Sequence, residues 1–407
     1  MNRKSLLVLA LVLLFLSTSA PRAFQSAPAH SGPAAVSIPF ELVNRHIVLK
    51  IKINNSRPLS FVFDTGDKVA IVDLDRAKEL GLNLQGQARV GGAGSDTLGG
   101  SFVQGASWTL PGLDGFSQPV VLALPLSRFA ARFGHDFDGI VGSDFIRQFV
   151  VEIDYQKHLL VLHEKDKFTY AGDGESIPIQ LNGQGHPSIE GEVTPIGGQP
   201  IKGKFVLDIG SGGALALYSP FVADHRLLNS GLKTIRSIGA GGAGGQTTGQ
   251  IGRVSELKIG RFRINSPYTL FSEDKAGAFA TSALAGNIGE QIASRFRLFL
   301  DYDHARIILE PTPNLGEAFD RAYGGMALIA EGKDFTTFRI SEVLEKSPAA
   351  EVGLQKDDVI VQVNDRPSNE YTLTRMNEMF ERPLTYKLKI RRGGQTLEVT
   401  LTPRKLV

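Results

Sequence analysis

An internal repeat is the feature that most restricts the fold of this chain of 407 residues. Five short motifs occur in one order and then recur in the same order, with matching motifs 139–148 residues apart. The pairs are SIPFEL (37–42) and SIPIQL (176–181), FVFDTG (61–66) and FVLDIG (205–210), VGGAG (90–94) and IGAGG (238–242), GIVG (139–142) and GNIG (286–289), and VEIDY (151–155) and LFLDY (298–302). Because five ordered matches are hard to produce by chance, we expect a duplicated unit with two lobes, the first over 36–165 and the second over 175–311.

Each copy has the pattern of β-strands. From Ile47 to Ile53 every second residue is apolar, which is the alternation of a half-buried strand. Apolar runs on both sides of 154–157 and of 301–304 predict two hairpins. Short helices are predicted at 75–80, 145–149 and 220–228. The many glycines, 45 in all, suit a mainly β chain with tight turns.

A third region, over 322–405, breaks the repeat. Its apolar runs predict strands, and two segments between them predict short helices. The expected strands are 338–344, 359–363, 386–390 and 397–401, and the expected helices begin at Ser347 and span 374–381.

Residues 1–27 have the pattern of a secretory signal peptide with a short spacer. Arg3 and Lys4 precede an unbroken apolar run from Leu6 to Leu16, and small residues follow it. The run is shorter than the about 20 apolar residues that a membrane-spanning helix needs, so we expect cleavage and a mature chain without a membrane span. An uncleaved N-terminal anchor is the alternative. A cysteine count of 0 fits a periplasmic or secreted bacterial protein that does without disulfides.

An aspartate occupies the same place in both copies of the second motif. Asp64 and Asp208 each follow three apolar residues and stand two residues before a glycine, so we expect each at a strand end where the chain turns tightly. Two lobes related by a pseudo-twofold axis would bring the two carboxyl groups together. Carboxylates a few ångströms apart cannot both ionise easily. One can then act as a base on a water molecule and the other as an acid on a carbonyl oxygen.

The two lobes resemble pepsin- and retropepsin-type aspartic peptidases, in particular the short retroviral form. The resemblance rests on D-T-G at 64–66, a glycine-rich flap at 90–94 and I-V-G at 140–142, followed by the same series in the second copy. It covers about 36–311 and implies two β-barrel lobes, a catalytic pair, and no metal or cofactor. The catalytic residues it implies are Asp64 and Asp208, with Thr65, Gly66, Gly210 and Ser211 as active-site support and Gly91, Gly92, Ala93 and Gly94 as the substrate-binding flap. Because both copies lie in one chain, no dimer is needed to complete the site, and we expect a monomer.

Two positions depart from the family pattern. The second triplet is D-I-G, and Ile209 has no hydroxyl for the brace that paired threonines form in the family. A lost buried hydrogen bond costs about 1 kcal/mol, and more if Thr65 is left without a partner. Asp67 stands where the family has a small residue, so a third carboxylate could raise the pKa values of the pair unless Lys68 neutralises it. Both aspartates are present, which favours an active endopeptidase. The alternative is a catalytically impaired peptide-binding or scaffold protein that keeps the peptidase fold.

The region 322–405 resembles the PDZ domains that are appended to bacterial envelope proteases. The resemblance rests on GGMAL at 324–328 and on the run from Ser347 to Asn364. It implies that an extended peptide C-terminus binds by strand addition, with the helix at 374–381 along the groove. Backbone amides would receive the terminal carboxylate, at the matching positions Gly324, Gly325, Met326 and Ala327. A PDZ domain that serves only as a packed structural cap is the alternative.

Other ligand classes have weaker support. A net charge of +2 does not favour nucleic acid as a partner. His135, Asp136 and Asp138 directly precede the GIVG motif, and we interpret them as a polar loop rather than a metal site. Residues 239–244 fit G-x-G-x-x-G, but no helix start follows, so a dinucleotide site is not expected. A carbohydrate-binding β protein is disfavoured because Trp108 is the sole tryptophan.

The sequence therefore predicts an exported aspartic endopeptidase with a C-terminal PDZ domain. Its expected partners are peptide or unfolded protein substrates at the aspartate pair and peptide C-termini at the PDZ domain.

Overall fold

The computed structural model describes residues 36–407 except positions 95, 117, 119, 182–184, 230, 240 and 243. The predicted signal segment, 1–27, lies outside the described residues. Among the helices that are described, none is long and apolar enough to cross a membrane. The fold is mainly β, as predicted.

One six-stranded antiparallel sheet joins the two copies of the repeat, and each copy contributes three of its strands. In order across the sheet the strands are Val36–Pro39, Leu159–His163, Val150–Asp154, Phe296–Asp301, Arg306–Pro311 and Glu175–Pro178. The two strands that carry the repeated aspartate-tyrosine motif pair at its centre, with Val151 opposite Leu300. The hairpins predicted around 154–157 and 301–304 are confirmed, and the pseudo-twofold axis passes between the two central strands.

The first lobe adds a ten-stranded sheet. Its strands are Glu41–Val43, His46–Ile53, Leu59–Phe63, Ala70–Asp73, Asn83–Gly91, Thr97–Gln104, Trp108–Leu110, Leu113–Phe116, Val121–Leu124 and Gly139–Val141. Its α-helices are Leu74–Glu79, Ser127–Phe133 and Ser143–Ile146, and a 3-10 helix follows at Lys165–Lys167. The buried aromatic side chains of Phe61 and Trp108 meet edge to face in its core, at 5.3 Å between ring centroids.

The helix Ser127–Phe133 was not predicted, because its N-terminal amides are capped by a residue far away in sequence. The carboxylate of Asp73 accepts the N–H groups of Leu126 and Ser127 at 2.9 and 2.8 Å. The same side chain also caps the helix Leu74–Glu79. Capping across such a sequence separation leaves no local signal at the start of a helix.

The second lobe repeats this arrangement with a second ten-stranded sheet. Its strands are Gln180–Leu181, Pro187–Thr194, Ile201–Leu207, Leu215–Leu217, Ile235–Arg236, Gly249–Arg253, Glu256–Ile259, Phe262–Asn265, Tyr268–Ser272 and Gly286–Ile288. A separate hairpin pairs Gly241–Gly242 with Gly245–Gln246. The α-helices of the second lobe are Ser219–Asp224 and Glu290–Ala293, and its 3-10 helices are Leu227–Asn229 and Ala278–Ala280. A further 3-10 helix, Pro313–Gly316, follows the lobe.

The region 322–405 has its own sheet and its own apolar core. Its strands are Met326–Glu331, Thr337–Val343, Val359–Val363, Arg366–Pro367, Tyr386–Arg392 and Gln395–Leu401. Its helices are Pro348–Glu351, the 3-10 helix Ser368–Glu370, and Leu373–Phe380. The last helix begins where the hydroxyl of Thr372 accepts the N–H of Arg375 at 3.1 Å, and it buries Met376 in the core. The strand Met326–Glu331 lies at the edge of the sheet.

Candidate active site

Asp64 and Asp208 stand directly after equivalent strands of the two lobes, Leu59–Phe63 and Ile201–Leu207. Each strand pairs in parallel with the strand of the glycine-bounded motif in its own lobe. A carbonyl of that neighbouring strand accepts the backbone N–H of the aspartate, at 3.0 Å in the first lobe and 2.9 Å in the second. The repeat therefore holds both aspartates by the same local geometry.

The two carboxyl groups meet in the cleft between the lobes. The side chain of Asp64 lies close enough to lower the pKa of Asp208 by hydrogen bonding, and two carboxyl groups this close do not both ionise readily. The backbone N–H of Gly66 donates to Asp64 Oδ1 at 2.7 Å. A Cβ added at Gly66 would lie 2.8 Å from Asp208 Oδ1, and one added at Gly210 would overlap Asp64 Cγ. Both positions therefore need glycine, because a side chain at either would occupy the space of the two carboxyl groups.

The surroundings affect the pKa values of the two carboxyl groups differently. Burial, and then repulsion from Asp208 and Asp67, raises the pKa of Asp64 well above the ordinary value of an aspartate. Burial also raises the pKa of Asp208, but hydrogen bonds from Asn287 and the backbone of Ser211 oppose that rise. The surroundings therefore favour the protonated form more strongly at Asp64 than at Asp208.

Asn287 is a site residue that sequence reasoning missed. Its Nδ2 donates to Asp208 Oδ2 at 2.7 Å, and its side chain is buried. Its Oδ1 has no hydrogen-bond partner among the described residues. A signal was present, because the matching residue of the first copy is Ile140, and a polar residue inside an otherwise apolar repeated motif is unexpected.

Thr65 braces the two active-site loops against each other. Its buried hydroxyl donates to the carbonyl of Leu207 at 2.6 Å and accepts the N–H of Ile209 at 2.9 Å. The sequence left open whether Thr65 would lack a partner, and it has two. Ile209 packs into the apolar core instead of forming the reciprocal bonds. The brace is therefore one-sided, as the D-I-G triplet predicts, but leaves no unpaired hydroxyl.

Asp67 places a third carboxyl group at the site. Burial, and then repulsion from Asp208, raises its pKa to about 7. The side chain of Lys68 is exposed. Asp67 in turn raises the pKa of Asp64 by charge repulsion, so the structure supports an upward shift at Asp64 rather than neutralisation of Asp67 by Lys68.

The loop predicted as a flap, Gly91–Gly94, connects two strands of the first lobe and closes onto the second lobe. The N–H of Asp96 donates to the carbonyl of Gly244 at 2.7 Å. Gly94 has a φ of 94°, and a Cβ there would overlap the carbonyl of Gly244, so both conformation and space require glycine. The hairpin of the second lobe at 241–246 supplies this contact, so each lobe contributes one glycine-rich loop above the cleft.

A single cavity of about 1650 Å³ contains the aspartate pair and extends to the region 322–405. The supporting residues Gly66, Gly210 and Ser211 line it, whereas Thr65 lies beneath it. The other predicted site residues in its wall are Asp64, Asp208, Gly91, Gly92, Ala93, Gly324, Gly325, Met326 and Ala327. The structure therefore brings together the two groups of site residues that the sequence had assigned to separate domains.

Two family models match this chain. One, described as aspartyl protease, matches residues 49–145, and one described as PDZ domain matches residues 325–391. The first match contains the D-T-G triplet, the flap and the I-V-G motif. The predicted likeness to aspartic peptidases and the predicted PDZ domain are both confirmed.

Individual proteins that are similar to parts of the chain include a curated protease and a solved PDZ domain. The "Probable protease eep" of Enterococcus faecalis is 33% identical over 76 residues, which are 18% of this chain and 17% of that protein. The chain therefore matches only a small part, 17%, of the length of that relative. The crystal structure of the HtrA3 PDZ domain bound to a phage-derived ligand is 24% identical and covers 21% of this chain and 85% of that chain, with a TM-score of 0.19.

Proposed function

We propose that this protein is an exported aspartic endopeptidase that hydrolyses peptide bonds of extended or unfolded chains. The observation that carries the proposal is the pair of half-buried carboxyl groups, Asp64 and Asp208, which meet at the base of a cavity beneath a glycine-rich loop. The aspartyl protease domain at 49–145 supports the same reaction. Export rests on the signal-like pattern of residues 1–27.

In the first half of the reaction, the two carboxyl groups act in opposite directions. Ionised Asp208 takes one proton from a water molecule as the water oxygen bonds to the scissile carbonyl carbon. Protonated Asp64 gives its proton to the carbonyl oxygen. The substrate becomes a neutral gem-diol, and the proton of the pair has moved from Asp64 to Asp208.

In the second half, the carbon–nitrogen bond breaks and the pair is restored. Asp208 gives its proton to the amide nitrogen, which leaves as an amine. One hydroxyl of the diol returns a proton to Asp64 as the carboxylic acid forms. One water is consumed per bond, and both carboxyl groups end in their starting state.

Other residues of the site position these groups and exclude bulk water. Asn287 and the backbone of Ser211 hold the charge on Asp208. Thr65 fixes the relative position of the two loops, and a small displacement of either loop would misalign the pair. The loop Gly91–Gly94 covers an extended peptide and keeps solvent from the reacting carbon.

A peptide-binding protein without catalysis is the second candidate, and the D-I-G triplet is the observation that favours it. The hydrogen bonds of Thr65 weaken this alternative, because the brace holds with one threonine. The cavity and the PDZ domain fit either candidate.

Hydrolysis of denatured casein between pH 3 and 8 distinguishes the two candidates. We expect the folded protein to cleave it, and we expect Asp64→Asn and Asp208→Asn each to lower the rate roughly 100-fold or more. Asp114→Asn, which changes an exposed carboxylate of the first lobe, is the matched control and should retain the rate. Failure of the folded protein to cleave casein at every pH, or full activity in either cleft variant, would contradict the proposal.

A further inference from the structure

We propose that the PDZ loop (residues 324–327) and the catalytic cleft form one substrate site, which captures the free C-terminus of a chain and cleaves a bond at a short, fixed distance before it. The inference rests on the peptidase function proposed above and specifies its substrate class. The substrates would be chains with an accessible terminal carboxylate and an extended tail.

The PDZ loop faces the same cavity as the aspartate pair and contacts the second lobe at its rim. A Cβ added at Gly239 would lie 3.0 Å from the Cβ of Ala327 in the PDZ loop. On the next strand of the PDZ domain, Glu342 forms an ion pair with Arg236 at 2.7 Å. The loop is thus held against the base of the second lobe's glycine-rich hairpin.

A turn of the first lobe bridges the catalytic loop and the PDZ helix. The backbone N–H of Asn44 donates to Thr374 Oγ1 at 3.0 Å, and Arg45 pairs with Glu381 at 2.6 Å. On its other side, a Cβ added at Gly212, just after the catalytic loop of the second lobe, would lie 3.5 Å from the Cβ of Arg45. The width of one turn therefore separates the two binding regions. An extended chain advances about 3.3 Å per residue, so a tail on the order of ten residues is long enough to join them.

The usual route of a peptide along a PDZ groove is blocked by the first lobe. The groove lies between the edge strand Met326–Glu331 and the helix Leu373–Phe380. The helix Ser127–Phe133 packs against that strand, and a Cβ added at its C-terminal Gly134 would lie 2.5 Å from the Cβ of Leu373. An element that touches both walls closes the groove beyond the part of the strand and helix that lines the shared cavity. A C-terminus held by the PDZ loop must therefore continue into the shared cavity rather than along the strand.

The charge beside the PDZ loop suits a terminal carboxylate. Arg45 and Arg321 both pair with Glu381, each at 2.6 Å, so these three groups carry a net positive charge of one. Arg321 lines the cavity, and its buried Nε has no partner among the described residues. Charge-assisted hydrogen bonds from such a group, together with backbone amides of the loop at Gly324 and Gly325, are the chemistry that binds a carboxylate.

The test uses unstructured peptides of about 20 residues, long enough at about 3.3 Å per residue to span both regions. Each of several sequences is made with a free C-terminal carboxylate and with a C-terminal amide. We expect the free acids to be cleaved with a kcat/KM about tenfold higher than the amides. Mass spectrometry should find a C-terminal fragment of constant length across the sequences. Equal cleavage of acids and amides, or fragments of unrelated lengths, overturns this inference alone. No cleavage of either form overturns the peptidase proposal together with it.

Two variants test where the terminal carboxylate binds. Arg321→Gln should bring the ratio between acid and amide towards one. Arg366→Gln, an exposed arginine of the same domain that pairs with Glu370, is the control and should preserve the ratio. An unchanged ratio in Arg321→Gln would contradict the assigned position of the carboxylate.

A binding measurement tests capture without catalysis. Fluorescein-labelled forms of the same peptides are titrated with the full-length Asp208→Asn variant, and fluorescence anisotropy gives the Kd. We expect the free acid to bind about tenfold more tightly than the amide. Equal affinities would overturn the inference.

Discussion

Replacing Thr65 with valine removes one hydroxyl and keeps the shape of the side chain. In the folded protein this buried hydroxyl donates to the carbonyl of Leu207 at 2.6 Å and accepts the N–H of Ile209 at 2.9 Å. The substitution leaves one buried acceptor and one buried donor unpaired at the junction of the two lobes. An unpaired buried group costs about 1–3 kcal/mol. We therefore expect Thr65→Val to lower the free energy of unfolding of the lobes by about 3 kcal/mol.

Unfolding in urea, followed by the fluorescence of Trp108, measures this loss. Trp108 is the sole tryptophan and is buried in the first lobe, so its signal reports the lobes and not the separate PDZ core. With a slope of about 1–3 kcal/mol per molar urea, the midpoint should fall by about 1 M or more. Thr65→Ser keeps the hydroxyl and is the control, which should stay close to the unsubstituted protein. A change below about 0.5 kcal/mol in Thr65→Val would refute the proposed brace.

Three further substitutions test the environment of the pair through the pH dependence or rate of casein hydrolysis. Asp67→Asn removes a charge that raises the pKa of Asp64, and activity needs that proton. The basic limb of the kcat/KM profile should move down by about one pH unit, and an unmoved limb would exclude the influence of Asp67. Asn287→Leu removes a hydrogen bond that opposes the raised pKa of Asp208, and activity needs the ionised form. The acidic limb should therefore move up, by about one pH unit, whereas an unchanged limb would leave Asn287 without a role. Gly210→Ala places a methyl group on the carboxyl of Asp64, and kcat should fall roughly 100-fold in a protein that circular dichroism finds folded. Normal turnover in that variant would contradict the close contact.

The repeat made the architecture of the two lobes predictable. Matching motifs predicted matching strands, and the pseudo-symmetry predicted that Asp64 and Asp208 would meet. The glycines of the two loops were also predictable, because Gly66 and Gly210 are the positions where the carboxyl groups need space. Periodicity also predicted the hairpins that form the central sheet, although not that three strands from each copy would join.

Features that depend on contacts between distant segments were not predictable. The helix Ser127–Phe133 is capped by Asp73, and no local sequence pattern indicates where this helix begins. Asn287 differs from its repeat partner, but a single sequence does not indicate that its amide would reach Asp208. The position of the PDZ loop at the cavity of the aspartate pair depends on ion pairs such as that between Arg45 and Glu381, and motif spacing does not predict these ion pairs.

The protonation of the aspartate pair is the most direct test of this account, and it needs no knowledge of the substrate. Carbon-13 NMR of protein labelled at aspartate Cγ, with Asp64→Asn and Asp208→Asn for assignment, follows each carboxyl group across the pH range. The account predicts coupled titration, with Asp64 retaining its proton well above the ordinary aspartate pKa of about 3.9 while Asp208 is ionised. Two independent titrations, both near the ordinary value of about 3.9, would contradict it.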